Sequence, residues 1–134
     1  MTSIHQDPRA IELGAFALSE LRELAPSLVF ATIVTDDGFE LVHAPNNSFE
    51  AGRFGSMSSS VQALSEAVTR ELRIGDSSYV VIAAEKGHVL QLRVSGHPLI
   101  LAALFDTAET LGKALASSRR SAERFGAQLS STLN

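Results

Sequence analysis

His5, His43, His88 and His97 are the side chains in this sequence best suited to hold a metal or relay a proton, and their spacing supports neither role. No His-x-x-x-His pair occurs, and no acidic cluster stands at metal-ligand spacing. His88 and His97 fall in two turn-like segments, Glu85-Lys86-Gly87-His88 and Ser95-Gly96-His97-Pro98, where solvated imidazoles are expected. Asp36 and Asp37 are adjacent carboxylates, but neighbours in a turn point different ways and stay hydrated, so they read as turn formers. Serines are abundant, yet no Gly-x-Ser-x-Gly elbow presents one to a base. The run Gly55-Ser56-Met57-Ser58-Ser59-Ser60 reads as helix capping in preference to an anion cradle. There is no phosphate-binding loop ending in Lys-Ser or Lys-Thr and no dinucleotide fingerprint. Cysteine is absent, which removes thiol chemistry and iron–sulfur clusters. The expectation is a non-catalytic binding protein with no catalytic residue, metal or cofactor.

Composition narrows the partner. The 134 residues, 45% of them hydrophobic, suffice for one domain with a single core. Eleven Lys and Arg against fifteen Asp and Glu leave a net charge of −4, which argues against nucleic acid, whose phosphates need a basic face. Lys113, Arg119, Arg120 and Arg124 cluster late in the chain and read as a solvated helix face, with a docking patch for an acidic protein as the sharper alternative. The opening Met1 to Asp7 lacks the basic start and apolar run of a secretion signal, and no apolar segment nears the ~20 residues of a membrane span. A cytoplasmic location is expected.

The elements that must position any site follow from periodicity. Asp7-Pro8 opens a first helix whose apolar row is Ile11, Gly14/Ala15, Leu18, Leu21 and Ala25, with Pro26 as its stop. Residues 28–34 are continuously apolar and β-branched and read as a central strand. Asp36-Asp37-Gly38 turns the chain into a half-polar second strand over 39–44. Loop chemistry at 45–48 and around Gly52 and Gly55 precedes a second helix, for which Ser59 and Gln62 offer a capping box. Its main apolar stripe is Met57, Val61, Leu64, Val68 and Leu72, and Gly75 ends it. A second row, Ala63, Ala67, Arg70 and Ile74, is displaced around the helix and suits close approach of another helix. Three strands then follow in quick succession over 79–84, 89–94 and 99–105. Asp106 and Glu109 offer a capping box to a third helix with a stripe of Leu111, Leu115, Ser118, Ala122 and Phe125. Phe39, Phe49, Phe54 and Phe125 read as core or rim packing. Residues 1–8 are expected as an extension, 9–126 as the domain and 127–134 as a frayed polar tail.

Two strands, 28–34 and 99–105, are apolar on both faces and belong at the centre of an α/β (α+β) sandwich with helices above and below. Pairing them gives a five-stranded, mostly antiparallel sheet in the order second, first, fifth, fourth, third. The strand over 79–84 is thereby left at the rim, although it carries no charge, proline or bulge to protect its unpaired amides. A second copy joined across a two-fold axis would cover it, with Ala63, Ala67, Arg70, Ile74, Tyr79 and Val81 as the dimer interface.

On Phe30 to Gly38 of the first hairpin, residues 57–72, Tyr79 to Ala84 before a glycine turn, and Leu99 to Leu104, the chain resembles the roadblock/dynein-light-chain family over about 9–125. That resemblance implies a profilin-like α/β/α sandwich that dimerises through its second helix and third strand, and a scaffold, adaptor or modulator of a small Ras-like GTPase. It also implies that the exposed side of the second helix, notably Ser59, Gln62, Glu66, Arg70 and Arg73, contacts the partner. Residues 46–55 match no family motif. The alternative reading is a small-molecule sensor domain, because helix-flanked sheets also host ligand pockets.

Overall fold

The computed structural model describes residues 3–45 and 51–133. A short 3-10 turn, Ile4–Gln6, leads into α1 (Pro8–Leu24), where Asp7 Oδ1 accepts the Arg9 amide at 2.9 Å and the Ala10 amide at 3.4 Å, as the Asp-Pro opening implies. Strands β1 (Leu28–Thr35) and β2 (Glu40–Ala44) form the first hairpin, α2 (Ala51–Glu71) crosses over, β3 (Val80–Ala84), β4 (Gly87–Arg93) and β5 (Leu99–Phe105) make the meander, and α3 (Leu111–Leu133) closes the chain. The sheet has the expected order β2-β1-β5-β4-β3, and each of its pairings is antiparallel.

The first hairpin turns on Gly38, whose φ of 90° an L side chain rarely tolerates. The Thr35 hydroxyl donates to Asp37 Oδ1 at 2.6 Å and accepts the Phe39 amide at 3.0 Å, so the turn is pinned from within. Gly87 answers a different need: a Cβ there would lie 2.9 Å from the Phe105 carbonyl oxygen of β5, a backbone atom that cannot move aside.

Alternation along the strands divides the side chains into two unlike layers. On one face Ala31, Ile33, Leu90, Leu92, Leu99, Leu101, Ala103 and Phe105 join Leu18 and Leu21 of α1 and Ala122, Phe125 and Leu129 of α3 in a continuous apolar core. On the other face Phe30 meets Phe54 of α2 edge-on, Val34 touches Gly55, and Gln91 and Arg93 reach the same helix. Two helices therefore cover the first face and one the second.

Several local expectations are corrected. The Asp106–Glu109 capping box does not form; Asp106 holds the Ala108 amide within a turn, and Thr110 caps α3 through the Lys113 amide at 3.2 Å. Leu111 is exposed, so the buried stripe of α3 runs through Ala114, Ser118, Ala122, Phe125 and Leu129. The tail does not fray from Gln128, because Leu129 is fully buried and holds the last turns on the core. Phe39 lies outside β2 and is exposed, stacked on His5 at 4.9 Å, whereas Phe54 and Phe125 pack inward. Phe49 and the loop residues 46–50 lie outside the described residues. His97 is part-buried, its Nε2 within hydrogen-bond reach of the Gly126 carbonyl at 3.2 Å and the Ser130 hydroxyl at 2.9 Å, and His88 lies within β4. Neither is the solvated turn residue expected.

Leu129→Ala should cost about 2–5 kcal/mol in urea unfolding, the range for emptying a buried leucine site. A dispensable tail would show no change.

Candidate functional site

The second helix is the unusual element, because its polar side faces the sheet. It starts at Ala51, eight residues before the expected Ser59 cap, and Gly52 and Gly55 belong to its first turns. At Gly55 α2 approaches β1 closely: a Cβ would sit 2.9 Å from Val34 Cγ1. The Ser59–Gln62 capping box is therefore absent, and within the helix Ser59 donates to the Ser56 carbonyl at 2.9 Å.

Toward the sheet α2 presents Ser58, Gln62 and Glu66, the first two buried to 2% exposure. Buried Gln91 of β4 donates through Nε2 to the Ser58 carbonyl at 3.0 Å and to Gln62 Oε1 at 3.1 Å. Gln62 in turn donates to Glu66 Oε2 at 3.1 Å. Arg93 grips both Glu66 oxygens, through Nε at 2.9 Å and a terminal nitrogen at 3.1 Å, while its other terminal nitrogen reaches Asp36 Oδ1 in the first hairpin turn at 2.7 Å. This ladder ties the helix, the first hairpin and β4 together by paired donors and acceptors. Hydrogen bonding from Arg93 holds the Glu66 carboxyl below its ordinary range, and Glu66 in turn holds the Arg93 guanidinium more firmly protonated. At its far end α2 is tied to the segment before β3 by a short hydroxyl contact between Ser65 and Ser77.

With its polar row inward, the helix turns its apolar row out. Met57, Leu64, Val68 and Leu72 are 46–66% exposed, and Ile74, Tyr79 and Ile82 continue the oily surface onto the rim of the sheet. Burial of Gln62 and the engagement of Glu66 remove those two from the expected partner-binding row, and Ser59 is half-buried; Arg70 and Arg73 remain exposed. Of the expected dimer residues, Ala63, Arg70, Ile74 and Tyr79 are exposed and Ala67 is half-buried. Val81 is half-buried and packs on the α1/α3 core, so Ile82 is the strand residue that faces out on the α2 side.

The late basic cluster is largely consumed within the chain. Arg124 pairs with Glu20 at 2.7 Å, Lys113 approaches Glu109 at 3.7 Å, and the Arg119 guanidinium lies over the Tyr79 ring at 5.7 Å. On the opposite rim His43 pairs with Glu40 at 2.8 Å, so a Glu-x-x-His spacing, expected to be absent, is present on β2. Among the described residues no three His, Asp or Glu converge as a metal site. A hollow of about 550 Å³ lies between the end of α2 and the sheet, lined by Glu66, Thr69, Arg70, Arg73, Asp76 and Arg93. Its walls are charged, unlike the mostly apolar lining of a small-molecule pocket.

The lowered Glu66 value fixes the sign of a pH effect. A carboxyl whose pKa is depressed by folding adds stability above its unfolded value, about 4.3, and loses it as pH falls through the folded value. Urea midpoints measured between pH 7 and pH 3 should therefore fall more in the native chain than in Glu66→Gln, which carries no charge to lose.

Neither a family model nor a curated protein matches the sequence. Solved structures do match by shape. MglB of Myxococcus xanthus superposes with a TM-score of 0.85 at 12% identity, covering 98% of this chain and 96% of that one. The gliding protein MglB of Thermus thermophilus gives 0.78 at 18% identity, with 91% and 94% covered. A Roadblock/LC7 domain from Streptomyces avermitilis gives 0.77 at 15% identity, with 85% and 95% covered. Acanthamoeba castellanii profilin II follows at 0.58 and 15% identity, with 87% and 98% covered. The chain thus has the roadblock/MglB fold, a profilin-like α/β/α sandwich, as its sequence resemblance implied.

Proposed function

We propose that this protein is a non-catalytic homodimeric scaffold or regulator that works in the cytoplasm and binds a small Ras-like GTPase or a complex containing one. The observation that carries the reading is the outward apolar row Met57, Leu64, Val68 and Leu72, continued by Ile74 and Ile82. Such a row on a helix already fastened to its own sheet by hydrogen bonds has no intramolecular use, and contiguous exposed apolar surface marks an interaction site. A second copy is the economical cover, because the same patch on two subunits is self-complementary about a two-fold axis. A stable interface of this kind hides about 800 Å² per subunit.

The GTPase part of the proposal rests on the fold shared with the roadblock and MglB structures together with the family resemblance of the sequence. In the dimer the apolar centre of α2 is given to the twin, and the flanking Arg70 and Arg73 remain as polar contacts for the partner. Its role is to hold and reshape the partner's own active site, since the chain offers no nucleotide-binding loop.

Leu64→Asp and Ile82→Lys should each raise the dimer dissociation constant by roughly 30-fold or more, the effect of losing about 2 kcal/mol at an interface centre, while leaving the far-ultraviolet circular dichroism unchanged. Sedimentation equilibrium reads the first effect. Capture on the native chain from its own organism, followed by hydrolysis assays on any recovered GTPase, reads the partner. A chain that stays monomeric at high concentration overturns the dimer, and repeated capture without a GTPase overturns the regulator in favour of a plain scaffold.

A further inference from the structure

A second surface lies at the turn end of the sheet, on residues that take no part in the outward row of α2. A hollow of about 540 Å³ opens between the 3-10 turn before α1, the β1–β2 turn and Pro98, with Ile4, His5, Asp36, Asp37 and Phe39 in its walls. Its aromatic side is the stack of His5 on Phe39, with ring centroids 4.9 Å apart and planes 12° from parallel. Phe39 stays 55% exposed with His5 in place, so the stack leaves surface open to a further group. Its polar side is a pair of carboxylates whose positions the fold sets. Asp37 Oδ1 accepts the Thr35 hydroxyl at 2.6 Å, and that hydroxyl accepts the Phe39 amide at 3.0 Å, which fixes carboxylate and ring relative to each other. Asp36 Oδ1 is held by Arg93 at 2.7 Å. The second oxygen of each carboxylate has no hydrogen-bond partner among the described residues.

Charge and shape select the occupant. Among the described residues no lysine or arginine lines the hollow, and Asp37 forms no ion pair with one. The negative face of an aromatic ring and a carboxylate beside it both attract a cation. A bare metal ion fits poorly, because among the described residues no three His, Asp or Glu converge. A guanidinium answers both walls. Its flat face stacks on an aromatic ring, and its N–H groups, spread in one plane, reach carboxylate oxygens that the compact ammonium of lysine meets less well. With Thr35 and Arg93 anchoring them, neither carboxylate has to be ordered on binding. One such contact in an open hollow is weak, so it suits a side chain carried on a larger partner that touches this surface elsewhere. We propose that the hollow receives an arginine side chain of a partner protein, its guanidinium against the Phe39–His5 stack and its N–H groups donating to Asp36 and Asp37. The site stands whether or not the chain dimerises or binds a GTPase.

Titration of the isotope-labelled chain with the blocked tripeptide acetyl-Gly-Arg-Gly-amide, followed by amide NMR, reads the site directly. The His5, Asp37, Gly38 and Phe39 signals should move in a saturable way at millimolar tripeptide. The same tripeptide with citrulline, the uncharged analogue of arginine, should bind roughly threefold or more weakly, and the lysine tripeptide should fall between the two. Phe39→Ala and Asp37→Asn should each weaken the arginine tripeptide by roughly threefold or more. Asparagine keeps an oxygen for the Thr35 hydroxyl, and unchanged signals from the core strands check the fold of both variants. Absence of saturable movement, or equal binding of the citrulline tripeptide, overturns the proposal. Lysine equal to arginine overturns the guanidinium assignment. Methylguanidinium bound as tightly as the tripeptide overturns docking in favour of a site for a small cation.

Discussion

The contact between Gln91, Gln62, Glu66, Arg93 and Asp36 decides which way the second helix faces. A buried amide without a partner costs about 1–3 kcal/mol, so once β4 places Gln91 and Arg93 on that side of the sheet, the covering helix must answer with acceptors. α2 supplies them from the Ser58 main-chain carbonyl and from the Gln62 and Glu66 side chains, one turn apart on the same side of the helix. The row Met57, Leu64, Val68 and Leu72 is then left on the outside. The exposed apolar row and the polar docking are two results of one rotation about the helix axis.

The architecture itself was written plainly in the chain. Residues 28–34 and 99–105 are apolar on both faces, which placed them at the centre, and three closely spaced strands forced neighbour pairing, so the order β2-β1-β5-β4-β3 followed. Asp7-Pro8 marked the first helix for a local reason, a cap that needs no tertiary support. Boundaries that depended on tertiary contact were harder to see. Gly52 and Gly55 carry loop chemistry by type, yet Gly55 is in the helix because β1 passes too close for a side chain. Leu129 lies among polar residues whose composition suggests a tail, and only the core beneath it reveals the helix.

The site was half legible. That α2 and β3 carry more apolar residues than their own packing uses could be seen from apolar content alone. Its facing could not, because periodicity finds a stripe without saying whether the sheet or another molecule covers it. The signal that separates the two was present in Gln62 and Glu66, polar residues one turn apart in step with Gln91 and Arg93 of β4. A row of polar helix residues matched to inward polar strand residues marks a helix packed by hydrogen bonding.

The two sides of the sheet also age differently. Cohesion is concentrated between α1, α3 and one surface of the strands, in a tightly filled layer where Leu18, Phe105 and Phe125 leave little latitude for substitution. The outer row of α2 lies beyond that layer and takes no part in holding the subunit together. Those residues can be exchanged without disturbing the core beneath, and the same backbone is met at 12% identity in MglB of Myxococcus xanthus.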